Sequence, residues 1–191
     1  MSIKALLLAS ADVKEKTADQ LSDKAEQAAQ LIANSLRAGG KLMLCGNGGS
    51  AGDSQHLAAE FVATLDHKNP REGLAAIALT TDSSLITAFS NDFGFEGIFD
   101  RQVDTLGTAG DVLIAISTSG NSQNIIRAAV AALKKDISVI AMTGDTGGAL
   151  AEHCTLLLNV PSAKTMHIQE AHIALGHAIT AAVETALGYD Q

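Results

Sequence analysis

Five consecutive apolar residues at 112–116, followed directly by a run of hydroxyl side chains, constrain the fold more than any other stretch of the chain. The run does not alternate and is rich in β-branched residues, which predicts a strand buried on both faces of a parallel sheet. Beyond the loop, apolar residues recur at helical spacing from Ile125 to Leu133, and Ser122 stands where an N-cap is expected. The stretch therefore predicts strand, loop and helix, with the free N–H groups of the helix start directed over the loop.

The loop at 117–122 has the composition of an anion-binding turn. Gly120 and Asn121 allow a tight backbone, and the loop contains neither lysine nor arginine. Because the Gly-Lys-Ser/Thr ending of a P-loop is missing, a small phosphate ester is favoured over a magnesium-chelated triphosphate. Ordinary turns share this composition, so from the loop alone a phosphate site and a plain turn are both open. The hydroxyl donors are Ser117, Thr118, Ser119 and Ser122.

Strand-like and helix-like runs alternate along the middle of the chain, which predicts an α/β fold with a doubly wound parallel sheet of five strands. We expect a single domain over residues 1–191, with an N-terminal helical region at 1–38, an α/β core at 41–160 and a C-terminal helix at 164–188. Ligands in such sheets bind at the carboxyl ends of the strands. The other four strands are predicted at 41–45, 74–79, 137–142 and 155–160.

A second glycine-rich loop follows the first predicted strand. Its residues Asn47, Gly48, Gly49 and Ser50 can hold a sugar hydroxyl or a second side of the phosphate. The loop is a weak match to a dinucleotide fingerprint, because no acidic residue ends a strand about twenty positions later.

A further candidate pair, Asn91 and Asp92, lies in a turn-like stretch at 91–95, after a helical piece predicted at 84–89. Both side chains can bind hydroxyls. Turn chemistry is the ordinary alternative for this pair.

Two helices carry the candidate metal ligands. His56 and Glu60 are four residues apart and so share one helix face, as a surface pair often does as well. On the last helix, Gln169, His172 and His177 interrupt an otherwise apolar surface. Two histidines, a glutamate and a glutamine from two helices can bind a divalent transition metal such as zinc. His172 is closer to Gln169 along the helix axis than His177 is. It is therefore either the companion of Gln169 in a shared site or merely a core histidine.

Composition narrows the choice of partner and compartment. The formal net charge of −8 opposes binding to nucleic acid or to an anionic membrane surface. A last helix that is apolar almost all round predicts an oligomer. Cys45 and Cys154 lie in apolar runs, as buried thiols in a reducing compartment do. No signal peptide or membrane span is recognisable, so we expect a cytoplasmic protein.

Taken together, five segments resemble the sedoheptulose-7-phosphate isomerases, which are sugar isomerase (SIS) domain proteins that supply heptose for lipopolysaccharide. The likeness runs from about residue 25 to the end. The segments are Cys-Gly-Asn-Gly-Gly-Ser at 45–50, Gln-His-Leu-Ala-Ala-Glu at 55–60, Asn-Asp-Phe-Gly at 91–94, Ile-Ser-Thr-Ser-Gly-Asn-Ser at 116–122 and Ile-Gln-Glu-Ala-His at 168–172.

The resemblance implies a flavodoxin-like SIS fold and a cytoplasmic homotetramer that converts sedoheptulose 7-phosphate to D-glycero-D-manno-heptose 7-phosphate, with zinc (Zn²⁺) in many members. It places the metal ligands on His56, Glu60, Gln169 and His177, and so favours His177 over His172. Glu60 and His177 are also the implied catalytic residues. The implied substrate contacts are Asn47, Gly48, Gly49, Glu60, Asn91, Asp92, Ser117, Thr118, Ser119, Ser122 and Gln169.

The chain departs from the family pattern where relatives usually carry arginine, at His167, and often near Thr64. Sugar specificity is therefore less constrained than reaction type. Two other SIS functions compete with the enzyme: a non-catalytic protein that binds the replication initiator DnaA, and a sugar-phosphate sensor. In the DnaA-binding branch the glutamate equivalent to Glu60 is absent and arginine stands at the position of Ser119, so the residues present here favour the enzyme.

Overall fold

The computed structural model describes residues 2–189 and is built around one fully parallel sheet of five strands. The strands are β1 (Leu42–Gly46), β2 (Ala76–Ala78), β3 (Val112–Ile116), β4 (Ser138–Thr143) and β5 (Leu156–Asn159). The helices are α1 (Ile3–Arg37), α2 (Gly49–Val62), α3 (Ser83–Phe93), α4 (Asp100–Leu106), α5 (Gln123–Lys134) and α6 (Thr165–Leu187).

The strand order β2-β1-β3-β4-β5 confirms the predicted doubly wound, flavodoxin-like sheet. Both β1 and β3 are buried along their whole length, as their contiguous apolar sequences predicted. One apolar cluster packs α1, α2 and α6 on one face of the sheet, and a second packs α4 and α5 on the other. The winding direction reverses between β1 and β3, so a crevice opens at the carboxyl ends of these two strands.

Helix α3 corrects the sequence-based prediction of a turn at 91–95. The Asp82 carboxylate caps the helix by accepting a hydrogen bond from the Leu85 N–H at 2.9 Å. The helix then runs through Asn91 and Asp92 and ends only at Gly94, whose φ of +94° suits a residue without a Cβ. Both candidate side chains thus project from the last turn of a helix.

Two smaller predictions were also wrong. The second strand is shorter than 74–79, because the Leu74 N–H bonds to the Phe61 carbonyl oxygen at 2.9 Å rather than to the sheet. Cys154 lies just after a 3₁₀ turn (Ala149–His153) and is only half-buried, whereas Cys45 is fully buried in β1. Burial raises the pKa of the Cys45 thiol to about 12, so this thiol stays protonated.

The two longest helices, α1 and α6, pack against each other over the sheet. Residues 3–37 form one continuous helix of 35 residues, where the sequence allowed one helix or two. Among residues 2–189, none of the helices combines the length and the apolarity that crossing a bilayer requires.

Candidate active site

The two loops rich in glycine and serine leave adjacent strands at the same edge of the sheet. Gly46 and Ile116 are paired residues at the ends of β1 and β3, so the loops that follow them start side by side. Helix α2 begins after the first loop and α5 after the second, and both N-termini face the crevice. This arrangement collects partial positive charge from two helices at one point.

The loop at 117–122 keeps its hydroxyls on one short arc. Ser117 is buried and its hydroxyl lies 3.2 Å from that of Ser122, while the Ser119 hydroxyl accepts a hydrogen bond from the Asn121 N–H at 3.2 Å. Ser122 holds the N-cap position of α5, but its side chain makes no capping hydrogen bond, contrary to the prediction. Within residues 2–189, the N–H groups of Ser122 and Gln123 have no acceptor, so they are free to bind an anion.

Thr118 and Gly120 fix the loop to the neighbouring turn at 144–148. The Thr118 carbonyl oxygen accepts from the Gly144 N–H at 3.0 Å, and the Gly120 carbonyl oxygen accepts from the Leu150 N–H at 2.9 Å. Gly120 has a φ of +66° and approaches the Gly147 carbonyl too closely for any Cβ to fit. The loop is therefore held in place by backbone contacts with the turn beside it.

The glycine-rich loop at 46–50 is tied to the second loop by a pair of amides. Asn47 donates to the Asn124 side-chain oxygen at 2.9 Å and accepts from the Asn124 side-chain nitrogen at 2.8 Å. Gly48, with φ +56° and ψ −120°, occupies the N-cap of α2 without a side chain. Ser50 is buried in the first turn of α2, and it lies so close to Gly46 that a Cβ at Gly46 would not fit. The Asn47 amide is thus engaged within the protein, and the loop presents mainly backbone to a ligand.

Three of the four predicted metal ligands, two on α2 and one on α6, meet beside these loops. The Nε2 atom of His56 lies 3.0 Å from Oε1 of Glu60 and 3.0 Å from Nε2 of His177. Oε1 of Glu60 lies 3.4 Å from Nε2 of His177, so one donor atom from each residue converges on one point. Two neutral imidazoles and a carboxylate are ligands that zinc prefers.

We call His56, Glu60 and His177 the cluster. It is partly exposed to solvent, and a further carboxylate, that of Asp53, lies near it. Glu60 is only 16% exposed, and within the described chain its Oε2 atom is buried without a hydrogen-bond partner. One turn earlier on α2, burial raises the pKa of Asp53, while Gln169, His56 and His177 act to lower it. The Gln169 amide packs directly on Gly49, at a position that any Cβ there would occupy. Gln169 therefore lies between the glycine-rich loop and the cluster.

The structure separates the histidines of α6. His172 is 1% exposed and its Nε2 lies 3.0 Å from the Thr143 carbonyl oxygen; burial lowers its pKa to about 4, so the ring is neutral. His172 is thus a core histidine, and His177 is the one that lies beside His56. His167 is also buried, with Nδ1 3.3 Å from the Glu170 carboxylate.

Two of the predicted substrate contacts, Asn91 and Asp92, are not hydrogen-bonded to the rest of the candidate site within the described residues. Asn91 donates to the Asp92 carboxylate at 2.8 Å, and both side chains are exposed. Across residues 2–189, no hydrogen bond links this pair to the other candidate residues. The Thr64 hydroxyl, at the second departure from the family pattern, donates to the carbonyl oxygens of Asp66 and Asn69.

Asn124 is a residue of the site that the sequence-based reasoning missed. It is 3% exposed, and its side-chain oxygen also accepts from the Ile125 N–H at 3.0 Å. In the sequence it is one polar residue among several at the start of a helix. A buried asparagine needs partners for its whole amide, and only the fold shows that Asn47 supplies them.

Comparisons with known proteins identify the family of this chain. Residues 7–144 match the family described as SIS domain. The phosphoheptose isomerase of Rhodospirillum rubrum is 53% identical over 161 residues, which are 84% of this chain and 85% of that protein. Among solved structures, the phosphoheptose isomerase of Neisseria gonorrhoeae superposes with a TM-score of 0.90 at 45% identity, covering 96% of this chain and 97% of the other.

A phosphoheptose isomerase from Francisella tularensis superposes with a TM-score of 0.91 at 37% identity, and the match covers 96% of each chain. The family match covers residues 7–144, the sequence match 84% of the chain and the structural matches 96% of it. The chain belongs to the SIS domain family and, within it, to the phosphoheptose isomerases.

Proposed function

We propose that this protein converts sedoheptulose 7-phosphate to D-glycero-D-manno-heptose 7-phosphate, the first step of ADP-heptose synthesis for lipopolysaccharide. The relatives that it matches are named phosphoheptose isomerase, and a phosphoheptose isomerase is a ketose–aldose isomerase. The observation that carries the proposal is the placement of the cluster His56, Glu60 and His177 beside two anion-binding loops at one edge of the sheet. Such a site can hold the phosphate end of a sugar while it acts on the carbonyl end.

The phosphate is proposed to bind at 117–122. Hydroxyls of Ser119 and Ser122, together with the free N–H groups at the start of α5, supply donors without any fixed cation. The backbone of Asn47, Gly48 and Gly49 lines the other side of the crevice. Neutral donors and a helix N-terminus bind a phosphate dianion reversibly, as turnover requires.

Isomerisation moves one proton between carbons and another between oxygens. In the first half, a base removes a proton from C1 while O2 gains a proton, which gives an enediol; in the second, C2 gains a proton while O1 loses one. We assign the carbon-to-carbon transfer to Glu60, whose Oε2 atom is buried and free of partners among the described residues. We assign the oxygen-to-oxygen transfer to the His177 imidazole, which lies beside the same carboxylate.

The donor set fits a divalent metal, and zinc in particular. His56, Glu60 and His177 offer two nitrogens and one oxygen within 4.8 Å of one another, and the Gln169 amide lies between Gly49 and Asp53 at the edge of this cluster. A bound Zn²⁺ would supply Lewis acidity at the substrate oxygens. Gln169 is then proposed to serve both as a ligand and as a contact to the sugar.

The decisive experiment incubates the purified protein with a panel of heptose and hexose phosphates and follows the products by chromatography. We expect conversion of sedoheptulose 7-phosphate, and loss of at least about 100-fold in kcat for Glu60→Gln with the oligomer intact. Glu152→Gln, which changes an exposed glutamate outside the site, is the matched control and should leave kcat unchanged. Turnover of hexose phosphates alone would overturn the substrate assignment, and full activity of Glu60→Gln would overturn its role.

We also propose a homotetramer in the cytoplasm. Support comes from a groove of about 350 Å³ between α1 and α6 and from apolar residues exposed at the start of α1. Those side chains are Ile3, Leu7 and Leu8, which are 60–78% exposed. Burial of such surfaces between subunits lowers the free energy of the assembly. Light scattering after gel filtration should give four times the chain mass, and a monomer would contradict this.

A further inference from the structure

Arg71 lies in the loop between α2 and β2 and is almost completely buried. Its side chain is 2% exposed, and its Nε donates to the Glu184 carboxylate of α6 at 2.6 Å. Its Nη1 donates to the Phe61 carbonyl oxygen at 2.9 Å and to that of Glu72 at 3.0 Å. Its Nη2 donates to the Glu60 carbonyl oxygen at 2.9 Å. One guanidinium thus joins the last turn of α2 to the last turns of α6.

The two helices that Arg71 joins are those that carry the cluster. Glu184 is seven residues after His177, about two helical turns, so both side chains lie on the same face of α6. Gly176 lets the helices approach, because a Cβ there would stand 2.6 Å from the Leu57 side chain of α2. The spacing of α2 and α6 is therefore set at Gly176 by contact and at Glu184 by an ion pair.

We propose that Arg71 is a positioning residue, which holds Glu60 and His177 at their mutual distance by clamping the end of α2 to Glu184 of α6. The inference rests on the proposed function, because it concerns how that site is held together. Arg71 acts directly on the backbone of the residue that supplies the carboxylate. Its positive charge also lies at the negative end of the α2 dipole, where it stabilises the last carbonyl groups.

Arginine is required at this position because of its geometry. The guanidinium donates four hydrogen bonds in a plane to acceptors on α2, on α6 and on its own loop. A lysine carries the same charge but has a single nitrogen, which cannot reach acceptors on both helices in this arrangement. The proposal therefore predicts that the Arg71→Lys variant does not preserve the geometry of the site.

The test uses two variants, Arg71→Lys and Glu184→Gln, and two readouts. The first readout is the affinity for Co²⁺, added to metal-free protein and followed by its visible absorption, which reports ligand geometry. The second is kcat and KM for sedoheptulose 7-phosphate. We expect Co²⁺ affinity and kcat each to fall at least about tenfold in both variants, because misplacement of ligands by fractions of an ångström weakens metal binding and catalysis. KM should change by less than about threefold, because the phosphate loop lies on other elements.

The matched control is Lys41→Gln, which breaks the buried ion pair with Asp111. The Lys41 Nζ lies 2.6 Å from the Asp111 carboxylate, between the starts of β1 and β3, at the opposite edge of the sheet from the site. This variant should lower the melting temperature yet leave Co²⁺ affinity and kcat within about twofold. General destabilisation is thereby separated from loss of positioning.

The outcomes are distinct. Unchanged Co²⁺ affinity and kcat in folded Arg71→Lys would overturn the clamp, as would equal losses in Lys41→Gln. If Arg71→Lys does not fold, Glu184→Gln decides by the same criteria. If the wild type does not convert the sugar, the proposed function fails, but Co²⁺ affinity still tests the role of Arg71. If the wild type is active but binds no Co²⁺, kcat tests the role of Arg71. A wild type with neither property would overturn both proposals.

Discussion

The Nε2 atoms of His56 and His177 lie 3.0 Å apart, although 121 positions separate the two residues in the chain. At this distance the two nitrogens cannot both carry a hydrogen, so at least one lone pair faces the other ring. Glu60 adds a carboxylate oxygen 3.0 Å from the first nitrogen and 3.4 Å from the second. Three donor atoms that converge in this way are arranged for a shared cation.

Removal of metal should therefore inactivate the protein. We expect chelation to abolish turnover and Zn²⁺ or Co²⁺ to restore it, because a cation held by these residues would neutralise negative charge on the substrate oxygens. His56→Gln should weaken metal affinity by at least about tenfold, measured by calorimetry. The control is His67→Gln, since that side chain is 87% exposed on a loop. A metal-free preparation with full activity would contradict the prediction.

The hydroxyls of the loop at 117–122 should govern substrate binding more than chemistry. Replacing both Ser119 and Ser122 by alanine removes two of the proposed donors to the phosphate, each worth about 1.5 kcal/mol or more when the acceptor is charged. We expect KM to rise at least about tenfold, while kcat falls much less, in steady-state assays. Ser90→Ala, on α3, serves as the comparison and should leave KM unchanged. An unchanged KM in the double variant would mean that the phosphate binds elsewhere.

Asn124→Ala should loosen both loops at once. The change leaves the Asn47 amide without its two hydrogen bonds and the Ile125 N–H without its side-chain acceptor, at a cost of about 1–3 kcal/mol in the free energy of unfolding. We expect denaturant titration to show this loss, together with a several-fold rise in KM. Asn34→Ala, which removes an exposed amide from α1, should change neither quantity. Equal behaviour of the two variants would show that the amide pair does not order the loops.

The ion pair of Asp111 with Lys41 should make stability depend on pH in the acid range. Burial acts to raise the pKa of Asp111, but hydrogen bonds from Lys41 and Thr108 outweigh burial and hold the pKa below its usual value. Since the folded-state pKa is depressed, the stabilisation is fully present above the unfolded value of about 4 and is lost as pH falls through the folded value.

Asp111→Ala should cost about 3 kcal/mol in the free energy of unfolding at pH 7. The difference from wild type should narrow steadily below about pH 4, measured by chemical denaturation across pH. Asp12→Ala, which removes an exposed carboxylate from a helical pair with Lys16, should show no such dependence. A difference that is constant from pH 7 to pH 3 would contradict the linkage.

Local sequence was sufficient for much of the fold. The strands at the centre of the sheet are contiguous apolar runs such as 112–116. The absence of alternation, which indicates burial on both faces, is visible in the sequence without knowledge of the neighbouring strands. Both loops at the crevice could be recognised because glycine and serine follow such runs directly. The pairing of His56 with Glu60 also follows from helical spacing alone, because residues four apart share a face.

Predictions failed where a specific hydrogen bond or helix end outweighs the preference of the residue type. Residues 91–93 of the turn assigned at 91–95 are helical, since the Asp82 cap and the Gly94 stop outweigh the turn preferences of Asn91 and Asp92. Ser122 occupies an N-cap position without capping, because its hydroxyl lies near that of Ser117 instead. Neither outcome can be read from a short window.

The sequence by itself determined the parallel α/β sheet, the two loops at its carboxyl edge and the carboxylate–imidazole pair on α2, because each depends on spacing within a few residues. The tertiary structure places His177 rather than His172 beside that pair, a choice that residue spacing left open and that the family resemblance implied. Only the tertiary structure decided that Asn124 joins the loops and that Arg71 ties α2 to α6. The physical reason is that these choices depend on the angle and separation at which helices pack over a sheet. Those quantities arise from contacts between segments 77 to 121 residues apart in the chain.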